Sequence, residues 1–295
     1  MKPIVTVRCP GSCGELFQGF IEKEEYLVTL PINRYTTLKI YKHDSLDLPD
    51  FKKMKQAYSL TCVFFNIPEE NLPKIKVVRH SDIPLSKGMS SSTADIVAMI
   101  YGVTYCLNKK ITEREVIKIC CQIEKTDSIA LSQLSVMAPS SGNILFQTTW
   151  TPKCHLLIFE GRQNLDTSDF HAFRNEEIVR KQGGIYCELV NEFKKSTCIQ
   201  SISEIGKIAT KSSFLNQIIL PKPYFQDIHL FGKKYGAVGT MVAHSGTVVG
   251  LLFNYNHPRI NNLIKVLRLN SAITKKYPKI YLTETVEGGV SITSF

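Results

Sequence analysis

One stretch limits what this chain can fold into more than any other: residues 84–95, Pro-Leu-Ser-Lys-Gly-Met-Ser-Ser-Ser-Thr-Ala-Asp. A lysine and a glycine run into four consecutive hydroxyl residues, and a helical pattern follows at once. Ile96, Ile100, Val103 and Leu107 stand at helical spacing, with Met99 on the same face. Upstream, the run at 74–79 reads as a strand that Ile83-Pro84 brings to an end. Strand, Gly/Ser loop and helix in that order set backbone N–H groups, small hydroxyls and a positive charge at a helix N-terminus. The helix dipole and the unpaired first-turn amides favour phosphate there, and the arrangement can hold a triphosphate.

The loop is not a Walker A motif. That motif places Lys after its second Gly, and here Lys87 precedes Gly88. Ser92 followed three residues later by Asp95 reads as a capping box, predicting a helix that starts at Ser92 or Thr93. On these residues alone two readings stand. The loop binds phosphate, or it is a Ser-rich helix start whose hydroxyl only caps its own helix.

The chain of 295 residues is long enough for one large or two ordinary domains with a proper core. Its composition, 43% hydrophobic and 21% charged, is that of a globular protein. No apolar run approaches the ~20 residues that span a bilayer, and a strand-like Ile-Val-Thr-Val-Arg follows Met-Lys-Pro where an export signal would have its apolar core. A cytoplasmic location without a membrane partner is therefore expected. Nine cysteines, an odd number, then imply reduced thiols. Their spacing is not that of a zinc site: Cys9 and Cys13 lack a CxxC partner, and Cys120 and Cys121 are adjacent. Buried small apolar thiols are the expected role.

A formal charge of +10 invites a nucleic-acid reading. The basic residues, however, come as scattered doublets such as Lys52-Lys53, Lys109-Lys110 and Lys233-Lys234, with no arginine stripe, zinc finger or aromatic RNP motif. A generally basic surface that attracts an anionic nucleotide accounts for them, and no nucleic-acid partner is expected.

There is no internal repeat and no low-complexity tract. Strands are predicted at 4–8, 26–30, 36–41, 74–79 and 142–148, and a helix at 51–66. A second capping box, Thr112 with Glu115, opens a helix whose inner face carries Val116, Ile119, Cys120 and Ile123. After Thr151-Pro152 the pattern resets. A buried strand at 154–159 leads to helices at 173–195, 202–214 and 223–234. A strand at 247–253, a helix from 258 and a strand at 279–283 complete the chain. A boundary near 150 is expected, giving 1–150 and 151–295, and the mixed ordering indicates α+β rather than a doubly wound parallel sheet.

Glu124 and Asp127, in Gln-Ile-Glu-Lys-Thr-Asp-Ser, are the candidate carboxylates. Three residues apart, they share a side if the preceding helix continues for a turn. Carboxylates at a helix C-terminus are electrostatically unfavourable unless a cation sits nearby. They are equally compatible with a solvated end neutralised in part by Lys125. Lys87 either reaches phosphate oxygens as a point charge or faces water. Glu15 suits the ammonium of an amino-acid substrate, or a salt bridge to Arg8 or Arg34. His244 reads more readily as structural than catalytic. Arg34 and Arg162 suit a substrate carboxylate, and nothing in the spacing selects either.

Three segments together carry a family resemblance. In the loop, Pro84, Gly88, Met89, Ser91, Ser92 and Ala94 match the phosphate loop of the GHMP kinases (galactokinase, homoserine kinase, mevalonate kinase and relatives), while Ser90 stands where a second Gly is usual. Cys-Pro-Gly-Ser-Cys-Gly-Glu-Leu-Phe-Gln-Gly at 9–19 resembles the family's first motif, which follows the opening strand. Ala-His-Ser-Gly-Thr-Val-Val-Gly at 243–250 resembles its Gly-rich C-terminal turn, with fewer glycines than most members. The resemblance thus covers the whole chain.

It implies a two-domain fold, with an N-terminal domain like ribosomal protein S5 domain 2, a ferredoxin-like C-terminal domain and an active site between them. It also implies ATP and Mg²⁺ as cofactors. ATP contacts would come from Pro84, Lys87, Gly88, Met89, Ser90, Ser91, Ser92, Thr93 and Ala94. Ser92 and Glu124 would hold the metal, and Asp127 would orient or deprotonate the acceptor hydroxyl, although its gap from Glu124 is shorter than in mevalonate kinase. Glu15, Ser245 and Thr247 would face the acceptor. The wording of the segments narrows the acceptor to L-threonine, phosphorylated for cobalamin synthesis or salvage. Homoserine or a mevalonate-like alcohol stays open as the acceptor. So does a non-catalytic member that binds RNA or protein, and the oligomeric state is likewise undecided.

Overall fold

The computed structural model describes residues 2–165 and 176–295. Two long strands open the chain, β1 (Val5–Ile21) and β2 (Glu24–Lys42), joined by a two-residue turn in which Glu22 takes φ 56°. Helix α1 (Lys52–Phe64), strand β3 (Ile75–Ser81), helix α2 (Ser91–Cys106) and helix α3 (Glu113–Cys121) follow. After β4 (Leu134–Met137), β5 (Ile144–Thr148) and β6 (Cys154–Glu160) comes a helical run: α4 (Glu176–Lys181), α5 (Gly183–Cys198), α6 (Ile202–Asn216) and α7 (Phe225–Lys234). The chain ends with β7 (Gly239–Val242), β8 (Val248–Asn254), α8 (Ile260–Leu269), α9 (Ser271–Lys276), β9 (Lys279–Glu284) and β10 (Ser291–Ser294). The part of the predicted helix at 173–175 lies outside the described residues.

The strands form one sheet in the order β5-β4-β2-β1-β7-β8-β6-β9, with β3 added to β2 and β10 to β1, and every pairing between strands is antiparallel. This is the mixed, non-doubly-wound arrangement expected. The seam is narrow: β1 meets β7 through the pair Glu15↔Val242. From Cys9 to Phe20 every residue of β1 is buried. Because successive strand side chains point to opposite faces, both faces of β1 must be covered. Helix α2 contacts β1 and β2, while α5 and α6 also reach β1.

Two departures from the expected elements matter for the site. The segment 9–19 was expected after the opening strand; it is instead the middle of β1. Register shifts between Pro10/Gly11, Ser12/Glu15 and Glu15/Phe17 break its alternation. Such bulges re-aim side chains, and here they bring Ser12 and Glu15 into the interior. The second departure is the capping box at Ser92 and Asp95, which does not form. Helix α2 begins at Ser91, its N-cap is Ser90 in a left-handed conformation, and no side chain caps it. Asp95 is instead buried, accepting from Arg79 Nε at 2.8 Å and from Thr36 Oγ1 at 2.8 Å. The box needs an extended N-cap residue, which the tight loop before Ser91 does not supply. The box at Thr112 and Glu115 does form, with both reciprocal bonds.

Helix α2 is apolar nearly all round and is buried accordingly. Gly102 lets it approach the sheet, since a Cβ there would stand 2.3 Å from Ile40 Cδ1. Helix α6 comes equally near β7. A Cβ on Gly206 would stand 2.3 Å from the Val238 carbonyl oxygen. Beside that contact Thr210 Oγ1 accepts the Thr240 amide at 2.9 Å, and Ser213 Oγ donates to the Thr240 carbonyl at 3.1 Å. Replacing Gly206 by Ala should therefore lower stability by about 2 kcal/mol through overpacking. Gly184→Ala, in open space on α5, should raise it by about 0.5–1 kcal/mol. Urea unfolding midpoints of the two variants should move in opposite directions.

Candidate active site

The residues between β3 and α2 alternate in backbone hand. Ser86 (φ 57°), Gly88 (φ 75°) and Ser90 (φ 59°) are left-handed, and Lys87 and Met89 between them are not. Alternation of this kind turns successive N–H groups toward one concave side, which attracts anions. The carbonyls are tied outward. Ser86 accepts from Leu165 N–H at 2.9 Å, Lys87 from Thr247 N–H at 3.0 Å and Met89 from Ser12 N–H at 3.0 Å. The cradle leads straight into α2, whose first intrahelical bond is Ala94 N–H to Ser90 at 2.9 Å. Ser91 Oγ is buried and has no hydrogen-bond partner among the described residues.

Glycines allow this packing. A Cβ on Gly88 would stand 2.6 Å from Ala243 Cβ, and one on Gly246 2.2 Å from the Lys87 carbonyl oxygen. The three motifs of the sequence are thus in contact, with 11–14 and 243–247 holding the loop from outside. Next to it opens a cavity of about 600 Å³ lined by the whole of 84–93 together with Glu15, Gln18, Lys52, Lys53, Asp95, Glu124, Lys125, Asp127 and Ser245.

Helix α3 stops at Cys121, so Glu124 and Asp127 do not share a helical side as the spacing suggested. They reach the cavity from an irregular segment held at three points. Thr126 N–H donates to the Pro139 carbonyl at 2.9 Å. Ser128 and Thr29 exchange amide-to-hydroxyl bonds at 3.1 and 3.4 Å. Glu124 accepts from Ser92 Oγ at 2.7 Å, from Thr93 Oγ1 at 3.0 Å and from the Lys53 ammonium. Asp127 is held far above the usual carboxylate range, at about 7. Burial is the main cause and the negative charge of Glu15 the second, opposed by hydrogen bonding from Ser90; Glu124 adds to the rise and Thr93 opposes it.

Ser90 Oγ lies 2.6 Å from Ser12 Oγ. Glu15 is not paired with Arg8 or Arg34. Its Oε2 accepts the His244 amide at 2.8 Å and His244 Nδ1 at 3.1 Å. Arg34 instead stacks on Tyr281, and Arg8 on Tyr35. Lys87 points away from the cradle, its ammonium donating to the carbonyls of Gly161, Arg162 and Gln163 at 2.7, 3.1 and 2.7 Å. Thr247 bonds the same segment through Oγ1 to Gln163 at 3.1 Å and does not line the cavity. Lys53, Asp95 and Gln18 are cavity residues that sequence reasoning missed. Lys52-Lys53 was read only as one of several surface doublets.

The donor set fits both expected groups. Magnesium takes hard oxygens and commonly only one or two protein carboxylates beside phosphate. Ser92 and Glu124 offer such a pair, and an unpartnered buried hydroxyl with a left-handed amide cradle suits phosphate.

Residues 52–133 match the GHMP kinases N terminal domain. A homoserine kinase from Cytophaga hutchinsonii shares the fold at a TM-score of 0.72, with 13% identity over 99% of this chain and 98% of that one. Residues 52–133 thus resemble that domain, and the chain as a whole has the fold of that homoserine kinase. In sequence it is 29% identical to the L-threonine kinase of Citrobacter freundii over 98% of this chain and 100% of that protein. The L-threonine kinase of Salmonella typhimurium is likewise 29% identical, over 98% and 96%.

Ser90→Gly would remove left-handed strain and a hydroxyl that favours ionised Asp127. Asp127 should therefore take up its proton at higher pH in that variant than in the native protein. Titration of the Asp127 carboxyl by NMR in both proteins checks the direction.

Proposed function

We propose that this chain transfers the γ-phosphoryl group of ATP to the hydroxyl of L-threonine, giving O-phospho-L-threonine and ADP. The observation that carries the reading is the near-full-length likeness to two L-threonine kinases. The convergence of a phosphate cradle, an oxygen pair suited to magnesium and a buried carboxylate on one cavity supports it.

The amides of 86–90, the first turn of α2 and the Ser91 hydroxyl would hold the triphosphate. Ser92 and Glu124 would hold Mg²⁺, which when bound neutralises charge on the phosphates. Lys53, now on Glu124, supplies a cation at the same edge. Asp127 orients the acceptor hydroxyl and takes its proton. The hydroxyl oxygen then bonds to the γ-phosphorus as the phosphorus–oxygen bond to ADP breaks, with no phosphoenzyme. Glu15 receives the ammonium of the acceptor and Ser245 borders it. Thr247 acts through the segment it braces.

We place the boundary between the nucleotide-binding half, 1–150, and the C-terminal half, 151–295, where β5 gives way to β6. Among the described residues β6 pairs only with β8 and β9. No helix among them is long and apolar enough to cross a membrane, and we assign the enzyme to the cytoplasm. Its product serves cobalamin synthesis or salvage.

Labelled ATP offered with L-threonine, L-serine, L-homoserine and mevalonate should label L-threonine fastest; preference for another alcohol overturns the assignment. Asp127→Asn should lower kcat by about 10²–10³-fold with ATP affinity nearly unchanged. In the native enzyme kcat/KM should fall as pH drops below about 7, where Asp127 takes up a proton. A flat profile, or full turnover in Asp127→Asn, removes Asp127 from the chemistry.

A further inference from the structure

Behind the cavity a line of buried polar groups runs to Glu15, and of its members only Glu15 has a part in the transfer proposed above. His244 Nδ1 meets Glu15 Oε2 at 3.1 Å, and His244 Nε2 meets Ser212 Oγ at 2.8 Å. The His244 carbonyl accepts from Asn216 Nδ2 at 3.1 Å, and the Lys222 ammonium donates to Asn216 Oδ1 at 3.4 Å. Ser212, Asn216, Lys222, His244 and Glu15 are all buried. An ionised carboxylate only accepts, so Nδ1 carries the proton toward Glu15; in the neutral ring Nε2 accepts from Ser212. The order Ser, His, Glu resembles that of a nucleophilic triad, but Ser212 is 0% exposed and no substrate carbonyl can reach it.

The line ends at the cavity in one side chain. Both bonds from His244 fall on Glu15 Oε2, while Glu15 lines the cavity and its Oε1 accepts no hydrogen bond among the described residues. That leaves Oε1 for a ligand. A carboxylate on a flexible side chain gains in binding when its rotamer is locked beforehand. Helix α6 supplies the lock, because its close contact with β7 at Gly206 brings Ser212 and Asn216 up to His244.

We propose that His244, backed by Ser212, is a positioning residue that aims Glu15 at the ammonium of the acceptor and so selects amino alcohols over plain alcohols. The inference rests on the kinase reading above and names the residues behind its acceptor selectivity. A site built around a polar partner discriminates strongly against an analogue that lacks it, because its own buried group is then left unpaired. The selectivity should therefore be lost when Glu15 is free to turn.

The test compares L-threonine with 3-hydroxybutyrate, which keeps the hydroxyl and carboxylate but lacks the ammonium, in the native enzyme, His244→Leu and Ser212→Ala. The native enzyme should favour L-threonine; failure to phosphorylate it would refute the kinase reading itself. Given that activity, His244→Leu should lower kcat/KM for L-threonine at least about tenfold, with Ser212→Ala showing a smaller loss in the same sense. The value for 3-hydroxybutyrate and the KM for ATP should stay near native. His244→Asn, which keeps an N–H near the Nδ1 position, should restore part of the preference. Should His244→Leu fail to fold, Ser212→Ala, which lies outside the cavity, decides the matter. Equal losses for both acceptors, or no loss for either, overturn the proposal.

Discussion

Backbone touches backbone where the loop 86–90 meets the turn 243–247, and the rest of the site depends on that contact. A Cβ at Gly88 or Gly246 would come within 2.2–2.6 Å of its neighbours, so side chains are excluded there. Strand β1 closes the other side, where Gly11 faces the Met89 carbonyl oxygen at 2.8 Å from an ideal Cβ and Ser12 N–H bonds to it. Held from two directions, the loop can keep three left-handed residues, conformations that cost non-glycine residues of order 1–3 kcal/mol each. The constraint converts a flexible Ser/Gly stretch into a rigid cradle. It also explains why segments distant in sequence must match one another.

Charge is the second theme. Glu15, Glu124 and Asp127 line one cavity, an arrangement that is unfavourable while all three are ionised. The protein offsets it locally. Hydroxyls and Lys53 take Glu124, a histidine and its amide take Glu15, and Asp127 holds its proton to about 7. In the proposed reaction, the cations that the substrates bring would complete the compensation.

Much of this was legible in advance. The strand–loop–helix at 74–107 and the capping box at Thr112 are local patterns, and local rules describe them well. Glu124 and Asp127 were read as candidates for a helical reason that does not hold, since α3 stops at Cys121. They meet because Thr126 and Ser128 anchor an irregular segment to Pro139 and Thr29. Asp95 looked like a cap and is a buried partner of Arg79. The motif at 9–19 was placed after the opening strand; it lies inside β1, where bulges absorb its Pro and Gly. His244 was read as structural, and its partners were beyond reach of that reading, because Glu15 and Ser212 lie 229 and 32 residues away.

The order of residues alone determined that a hydroxyl-rich loop would run into an apolar helix and that strands and helices would mix without parallel winding; that two further glycine-bearing segments accompany the loop was implied only by the family resemblance. Periodicity, capping and turn chemistry act over a few residues, and neighbours suffice to read them. Tertiary structure alone decided which way Lys87 and Glu15 point, what Asp95 pairs with and which carboxylate is hard to ionise. Those outcomes depend on burial and on groups brought close by the β1–β7 seam, and distance in space is not written in adjacent residues.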